Sequence, residues 1–192
     1  MSQLAQPAEL ITFREDQFYL SVSRQSVSVI TPEFTNWIKQ THEMALKLVG
    51  EQSRMYPATF YNRFDSVEDV DLENAVFLTA ETVEKFNLPS KREEFEESIK
   101  KVNETCSYSL PIQLKTIPKG VYLKKHYVGP YMHLGRVWEE LKTELSEKFG
   151  EIYEEAPYPS WEEHPNHEIL MKEVPKDEEL ISDLFTRLIE KK

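Results

Sequence analysis

The residues of this chain best suited to chemistry are a carboxylate and the large rings around it. Ser160-Trp161-Glu162-Glu163-His164 has the composition of a short strand, and strand side chains alternate between two faces. One face then presents Ser160, Glu162 and His164, and the other Trp161 and Glu163. If the first face lines a groove, Glu162 among aromatic rings would trap a flat, apolar cation. The rings supply area and cation–π attraction, and the carboxylate supplies the opposite charge. The plainer alternative is an exposed strand glutamate, common in a chain with 34 acidic residues. Tyr131 and Trp138 lie on one helical stripe, a pattern that more often marks core than a ligand wall. Tyr61 and Trp161 fall at matching places in the two halves of the chain, and each could wall a groove.

Other chemistries find weaker support. His126, His133, His164 and His167, with Glu162 and Glu163 nearby, show no ligand spacing such as His-Glu-x-x-His, so no metal is expected. Ser160 is not in a Gly-x-Ser-x-Gly turn, and Cys106, the single cysteine, has no evident activating base. Five glycines in 192 residues leave no phosphate-cradling loop. No cofactor is expected. Lys119, Lys124 and Lys125 form a local basic patch that a solvated strand face explains.

The elements that would position these groups follow from periodicity. Val121 to Tyr127 reads as a strand, Gly129-Pro130 as a turn, and Tyr131, Leu134, Trp138, Leu141, Leu145 and Phe149 as the apolar stripe of a helix stopped by Gly150. Leu10 to Phe13 is a short strand. Residues 17–24 alternate as a half-buried strand, and Thr31-Pro32-Glu33 opens a helix whose inner face is Phe34, Trp37, Ile38, Thr41, Ala45 and Leu48, ending at Gly50. Residues 58–64 and 74–79 are strands, joined by an acidic turn segment, SVEDVDLE. Pro89-Ser90 opens a charged surface helix with Phe95, Ile99 and Val102 inward. Residues 108–117, 159–164 and 168–174 are strands. From Lys176 the stripe Leu180, Ile181, Leu184, Phe185 and Leu188 predicts a docked C-terminal helix over 176–192.

The order strand, helix, strand, strand thus occurs twice. Trp37 lies 101 residues before Trp138, Gly50 lies 100 before Gly150, and Phe60-Tyr61-Asn62 lies 100 before Ser160-Trp161-Glu162. This is a duplicated βαββ unit. The expected fold is α+β: a mostly antiparallel sheet, two helices on one face, and a ligand groove along the pseudo-twofold axis, placed on the side the helices leave free. One domain is expected over 1–192, with pseudo-repeats at about 17–80 and 108–175, a linker helix at about 84–105 and the C-terminal helix.

Bulk properties narrow the function. A formal charge of −11 argues against nucleic-acid binding, which needs concentrated Lys and Arg. The first sixteen residues carry no cationic start followed by an apolar core, and no apolar run is long enough to span a membrane. One cysteine permits no internal disulfide. These features predict a cytoplasmic location and no membrane association.

Five segments in order resemble a known family. They are Ile117-Pro118-Lys119-Gly120-Val121-Tyr122, Gly129-Pro130-Tyr131, Trp138 with Leu141, Ser160-Trp161-Glu162-Glu163-His164, and Glu173-Val174-Pro175. Together they are similar to the GyrI-like small-molecule-binding domain, the family of gyrase inhibitor proteins and of effector domains in multidrug-responsive regulators. The resemblance covers roughly residues 17–175. It implies that Glu162 is the central glutamate of an aromatic groove for lipophilic, cationic compounds; Trp161, Tyr61, Tyr131, Trp138 and His164 are the candidates for its ligand-binding neighbours. His164 departs from the family, which usually has tyrosine there, and the segment before residue 17 is too short for a DNA-binding module, so a stand-alone member is expected. Two alternatives follow from the same likeness. One is a hydrolase of cyclopropane-containing toxins, with Glu162 as catalytic base or stabiliser and Tyr131 orienting water or substrate. The other is a gyrase-inhibitor-like module that binds a protein partner.

Overall fold

The computed structural model describes residues 4–29, 31–50, 55–66, 68–105, 110–166 and 180–191. It divides into two compact units, Asp16–Ile117 and Met1–Glu15 with Pro118–Lys192, called here the first and second unit. Expectations for residues 168–174, for Glu173-Val174-Pro175, for Cys106 and for His167 lie outside the described residues.

In the first unit, strand β3 (Gln17–Val27) leads into helix α1 (Pro32–Val49), then β4 (Met55–Ser66) and β5 (Asp69–Leu78). Thr31 takes the extended N-cap conformation that the sequence predicts, with proline at the first helical turn. Its hydroxyl donates to the Ser28 carbonyl rather than capping the helix. Within the acidic segment 66–73, Glu68 lies in a turn between β4 and β5, but the stretch from Asp69 on is already strand β5. Val70 and Leu72 alternate inward and are fully buried while the acids between them point away. Two further helices, α2 (Ala80–Phe86) and α3 (Leu88–Thr105), precede β6 (Gln113–Ile117). Thr79 starts α2 by accepting from the Thr82 amide. Leu88, Phe95 and Ile99 of α3 join Met44, Ala45 and Val49 of α1 in one core. The strand order is β4-β5-β3-β6, all antiparallel.

The second unit repeats the plan. Strand β7 (Gly120–Val128) is followed by a 3-10 turn at Tyr131–His133, helix α4 (Leu134–Glu144) and a π-type turn at Leu145–Phe149, then β8 (Tyr153–Glu163) and β9 (Ile181–Glu190). Its order, β8-β9-β7, matches β4-β5-β3 element for element, and the short strands β1 (Leu4–Ala5) and β2 (Glu9–Phe13) pair with β7 where β6 pairs with β3. Both units are α+β with antiparallel sheets, as the duplicated βαββ pattern requires.

The expected C-terminal helix over 176–192 is not there: Ile181–Glu190 is the strand β9, central between β7 and β8. The stripe Leu184/Leu188 fits both periods, because a spacing of four keeps residues on one face of a strand as well as of a helix. Burial decides it. Positions 182 through 186 are all buried, so both faces are covered, as in a central strand. The closing strand of the second repeat is therefore β9, and the repeat runs past residue 175 to about 190. The expected strand at 108–117 is represented by β6, which belongs to the first unit rather than opening the second repeat.

Two glycines are dictated by space. Gly129 has φ +152°, and a Cβ there would collide with the Tyr127 ring. Gly150 has φ −64° and so is not a left-handed cap; a Cβ would instead strike the Ser146 carbonyl. Of the expected stripe, Leu134, Leu141 and Leu145 are buried against Leu123, Tyr127, Leu184 and Leu188, joined by Val137, which the stripe leaves out, while Tyr131, Trp138 and Phe149 lie at the margin.

Candidate functional site

The second unit assembles its polar groups on the sheet face that α4 covers. Glu162 and Ser160 of β8 lie opposite Leu184 and Thr186 of β9, and Leu184 packs against α4. Glu162 therefore points at the helix. The Trp138 indole Nε1 donates to its Oε1 at 2.7 Å, a short N–H···O bond. The carboxylate is 2% exposed. Glu162 thus lies beneath α4 and not on the sheet face that the helices leave free, where it was expected.

Tyr131 reaches the same place because Gly129 turns the chain and Pro130, at φ −65°, starts the 3-10 turn. Burial, and then the negative charge of Glu162, push the Tyr131 phenol well above its ordinary pKa. His164, one residue past the end of β8, sits ring to ring with Tyr131 at 5.4 Å and 59°. Burial holds the imidazole down at about 4, so it is neutral at pH 7. Continuing the β8–β9 register places His164 opposite Ser182, on the same face. Among the described residues, the phenolic oxygen of Tyr131, Nδ1 of His164 and Oγ of Ser182 are all buried without a hydrogen-bond partner. Native proteins leave few such atoms, and each calls for an explanation such as an ordered water, a bound ion or a catalytic role.

Four of the six residues singled out from the sequence, Glu162, Trp138, Tyr131 and His164, are thus together. Trp161 is not with them. It is fully buried on the opposite face of the sheet, stacked on Phe185 at 4.7 Å and 5° and edge-on to Tyr122 at 5.4 Å. Its Nε1 donates to Glu163 at 3.0 Å, and burial raises the Glu163 carboxyl to about 7, with Asp183 adding to the rise. Tyr61 lies in the first unit, half-buried on β4 opposite Leu72. Ser160 is held by Thr186 at 2.9 Å and by Glu155, which leaves it no histidine.

The three lysines do not form a solvated patch. Lys125 is buried and ion-paired with Glu144 and Glu140 on the α4 side. Lys124 faces the other way, 3.0 Å from Asp183, whose other oxygen is 2.6 Å from His126 Nδ1. Among the described residues no group of three or more His, Cys, Asp or Glu side chains is arranged to hold a metal ion. No helix is long and apolar enough to cross a membrane. Ser182 was missed because it lies in the segment read as helix. A strand reading of Ile181–Glu190 would have alternated it onto the face of Leu184.

No protein-family model matches the sequence, and no curated protein does. Solved structures do share its fold. The EcmrR chain in a DNA complex superposes with a TM-score of 0.65 at 14% identity, over 98% of this chain. This chain spans only 59% of the length of that one. The EcmrR C-terminal domain alone gives 0.62 at 12% identity with both chains fully covered. A hydrolase from Listeria innocua gives 0.63 at 15% identity, over 95% of this chain and 91% of its own. SAV2435, solved with tetraphenylphosphonium bound, gives 0.51 at 9% identity, over 98% and 94%. These likenesses show the GyrI-like fold.

Proposed function

We propose that this protein binds lipophilic, cationic small molecules at Glu162, beneath α4. The observation that carries the reading is the Glu162 carboxylate, 2% exposed, held by the Trp138 indole at 2.7 Å beside Tyr131. A buried carboxylate flanked by rings favours a cation whose body is apolar. SAV2435, of the same fold, was solved with such a cation, which supports the reading. His164 supplies a neutral ring where a charged one would repel the ligand.

Thermal unfolding with tetraphenylphosphonium, against neutral triphenylphosphine oxide, tests it. Stabilisation at a hundredfold excess over Kd is about 2.7 kcal/mol, a Tm rise of about 5–10 °C for a chain of this size. The rise should follow the cation alone and vanish in Glu162→Gln. Equal shifts with both compounds, or an unchanged shift in Glu162→Gln, would overturn the assignment.

A second reading rests on the unpartnered Tyr131 Oη and His164 Nδ1, more polar capacity than a cation trap needs. On it, Glu162 is the base of a hydrolase acting on cyclopropane-containing compounds, with Tyr131 orienting water. Ring-opened product in stoichiometric excess over protein, abolished by Glu162→Gln, distinguishes turnover from binding.

A further inference from the structure

The first unit carries a polar cluster of the opposite sign on the sheet face covered by α1. Arg24 of β3 lies opposite Leu72 and Val22 opposite Asn74, so Arg24 and Asn74 are diagonal neighbours on the face that Val22 turns toward α1. Such neighbours stand about 7–8 Å apart, within reach of long side chains. Across on β4, Tyr61 pairs with Leu72 and Thr59 with Asn74. The Arg24 guanidinium lies on the Trp37 ring, 4.4 Å from Cζ to the ring centroid.

Two features of this cluster point to a missing partner. Among the described residues Arg24 has no carboxylate partner, in a chain with 34 acidic residues against 23 basic ones, and its Nε is enclosed and unbonded. Asn74 is 1% exposed, and among the described residues neither its amide nitrogen nor its amide oxygen has a hydrogen-bond partner. A buried amide short of both bonds is destabilising, and native structures keep few of them.

We propose that Arg24, Trp37 and Asn74 form a binding site for an organic carboxylate whose acid group is joined to a flat apolar body through an amide. A guanidinium stacked on an indole keeps its donor edge for a carboxylate, in the bidentate geometry that lysine cannot match. The ring surfaces of Trp37 and Tyr61 suit the apolar body. Asn74 offers one donor and one acceptor side by side, which an amide of the ligand answers with its own acceptor and donor. The site is separate in chemistry from Glu162, which would repel the same ligand.

Hippurate has these three parts, and its methyl ester lacks the charge. Isothermal titration should show hippurate saturating the wild-type protein and the ester binding at least about tenfold more weakly. Arg24→Met, which keeps the stem over Trp37, should weaken hippurate at least about tenfold. Arg24→Lys should fall between. Asn74→Leu should weaken hippurate while raising the unfolding midpoint, because the orphaned amide is gone. Glu162→Gln should leave hippurate binding within about twofold. Circular dichroism of each variant comes first; should Arg24→Met fail to fold, Arg24→Lys and the ester carry the comparison. No saturation by about 10 mM hippurate, equal binding of ester and acid, or a loss caused by Glu162→Gln and not by Arg24→Met would overturn the proposal.

Discussion

Exchanging the two partners of the Glu162–Trp138 bond separates a carboxylate kept for a ligand from one kept for the fold. Glu162→Gln preserves side-chain volume and an acceptor oxygen for the Trp138 indole. It removes a charge from a site that is 2% exposed, where ionised groups are poorly solvated. The change in stability should stay within about 1 kcal/mol, of either sign. Trp138→Phe keeps most of the ring area at the margin of the core but withdraws a donor from a buried carboxylate. Hydrogen bonds to charged groups contribute about 1.5–3 kcal/mol. The expected loss is therefore about 2 kcal/mol, a Tm drop of about 4–8 °C. In the double variant the two effects should fail to add by about 1–2 kcal/mol, since the glutamine no longer needs the indole as a charge does. Urea denaturation of the four proteins, read at the midpoint with the slope held in view, gives all three numbers. A loss in Glu162→Gln larger than that in Trp138→Phe would show that the carboxylate is a structural group. The ligand reading of Glu162 would then lose its basis.

Two titrations oppose one another and can be resolved by single substitutions. Glu163 has its carboxyl raised by burial from 4.5 to about 7, so the folded state holds a proton that the unfolded state has released. Stability then falls as pH rises from about 4.5 to about 7, by an amount on the order of 2 kcal/mol for this half-buried side chain. Glu163→Gln should remove that fall and stabilise the protein at pH 8 but not at pH 4, in pH-dependent urea melts. His164 has its pKa lowered by burial from 6.5 to about 4, so its contribution is present above pH 6.5 and lost as pH drops toward 4. His164→Asn should flatten the acid limb, by up to about 3 kcal/mol; an unchanged limb would mean that the imidazole is solvated. Gly129→Ala should cost about 1–3 kcal/mol through its φ of +152°, with more added by the clash with Tyr127. Tyr127→Leu in that background should recover part of the loss of Tm, and no recovery would locate the strain elsewhere.

The periodic elements were legible in the sequence because each had a single apolar stripe and clear punctuation. The α4 stripe, the β7 strand and the Gly129-Pro130 turn are found where residue spacing puts them. The failures have physical causes. The four acids of 66–73 suggest turn along its whole length, although Val70 and Leu72 alternate to full burial in β5. Asp71 is not idle there, since its carboxylate accepts from the Ser26 amide at 2.8 Å beside the bulge in β3. Ile181–Glu190 was read as helix because leucines four apart satisfy both periods, and burial on both faces is a tertiary fact. That one misreading also hid Ser182 from the candidate site. Lys125 and Lys124, adjacent in sequence, looked like a surface patch only until the alternation of β7 sent them to opposite faces, each to its own carboxylate.

The register of the internal repeat explains why Trp161 lies apart from Glu162. Aligning the halves at a spacing of 100 pairs Tyr61 with Trp161. The spacing that relates Trp37 to Trp138 is 101, and it pairs Phe60 with Trp161 and Tyr61 with Glu162. The faces agree with 101. Phe60 stacks on Tyr19 at 4.6 Å and 16°, on the sheet face away from α1, as Trp161 stacks on Phe185 away from α4. Tyr61 and Glu162 both turn toward the helix of their own unit. A slip of one residue moves a side chain to the other face of a strand, so an error of one in the repeat spacing exchanges a core ring for a residue on the helix-covered face. At 101 the two units differ on the helix-covered face in a consistent way. The second unit places a carboxylate beside the helix tryptophan. The first places a tyrosine on the equivalent strand and a guanidinium against the equivalent tryptophan. A duplication that keeps the tryptophan and reverses the charge beside it is what separate cation and anion preferences in the two units would require.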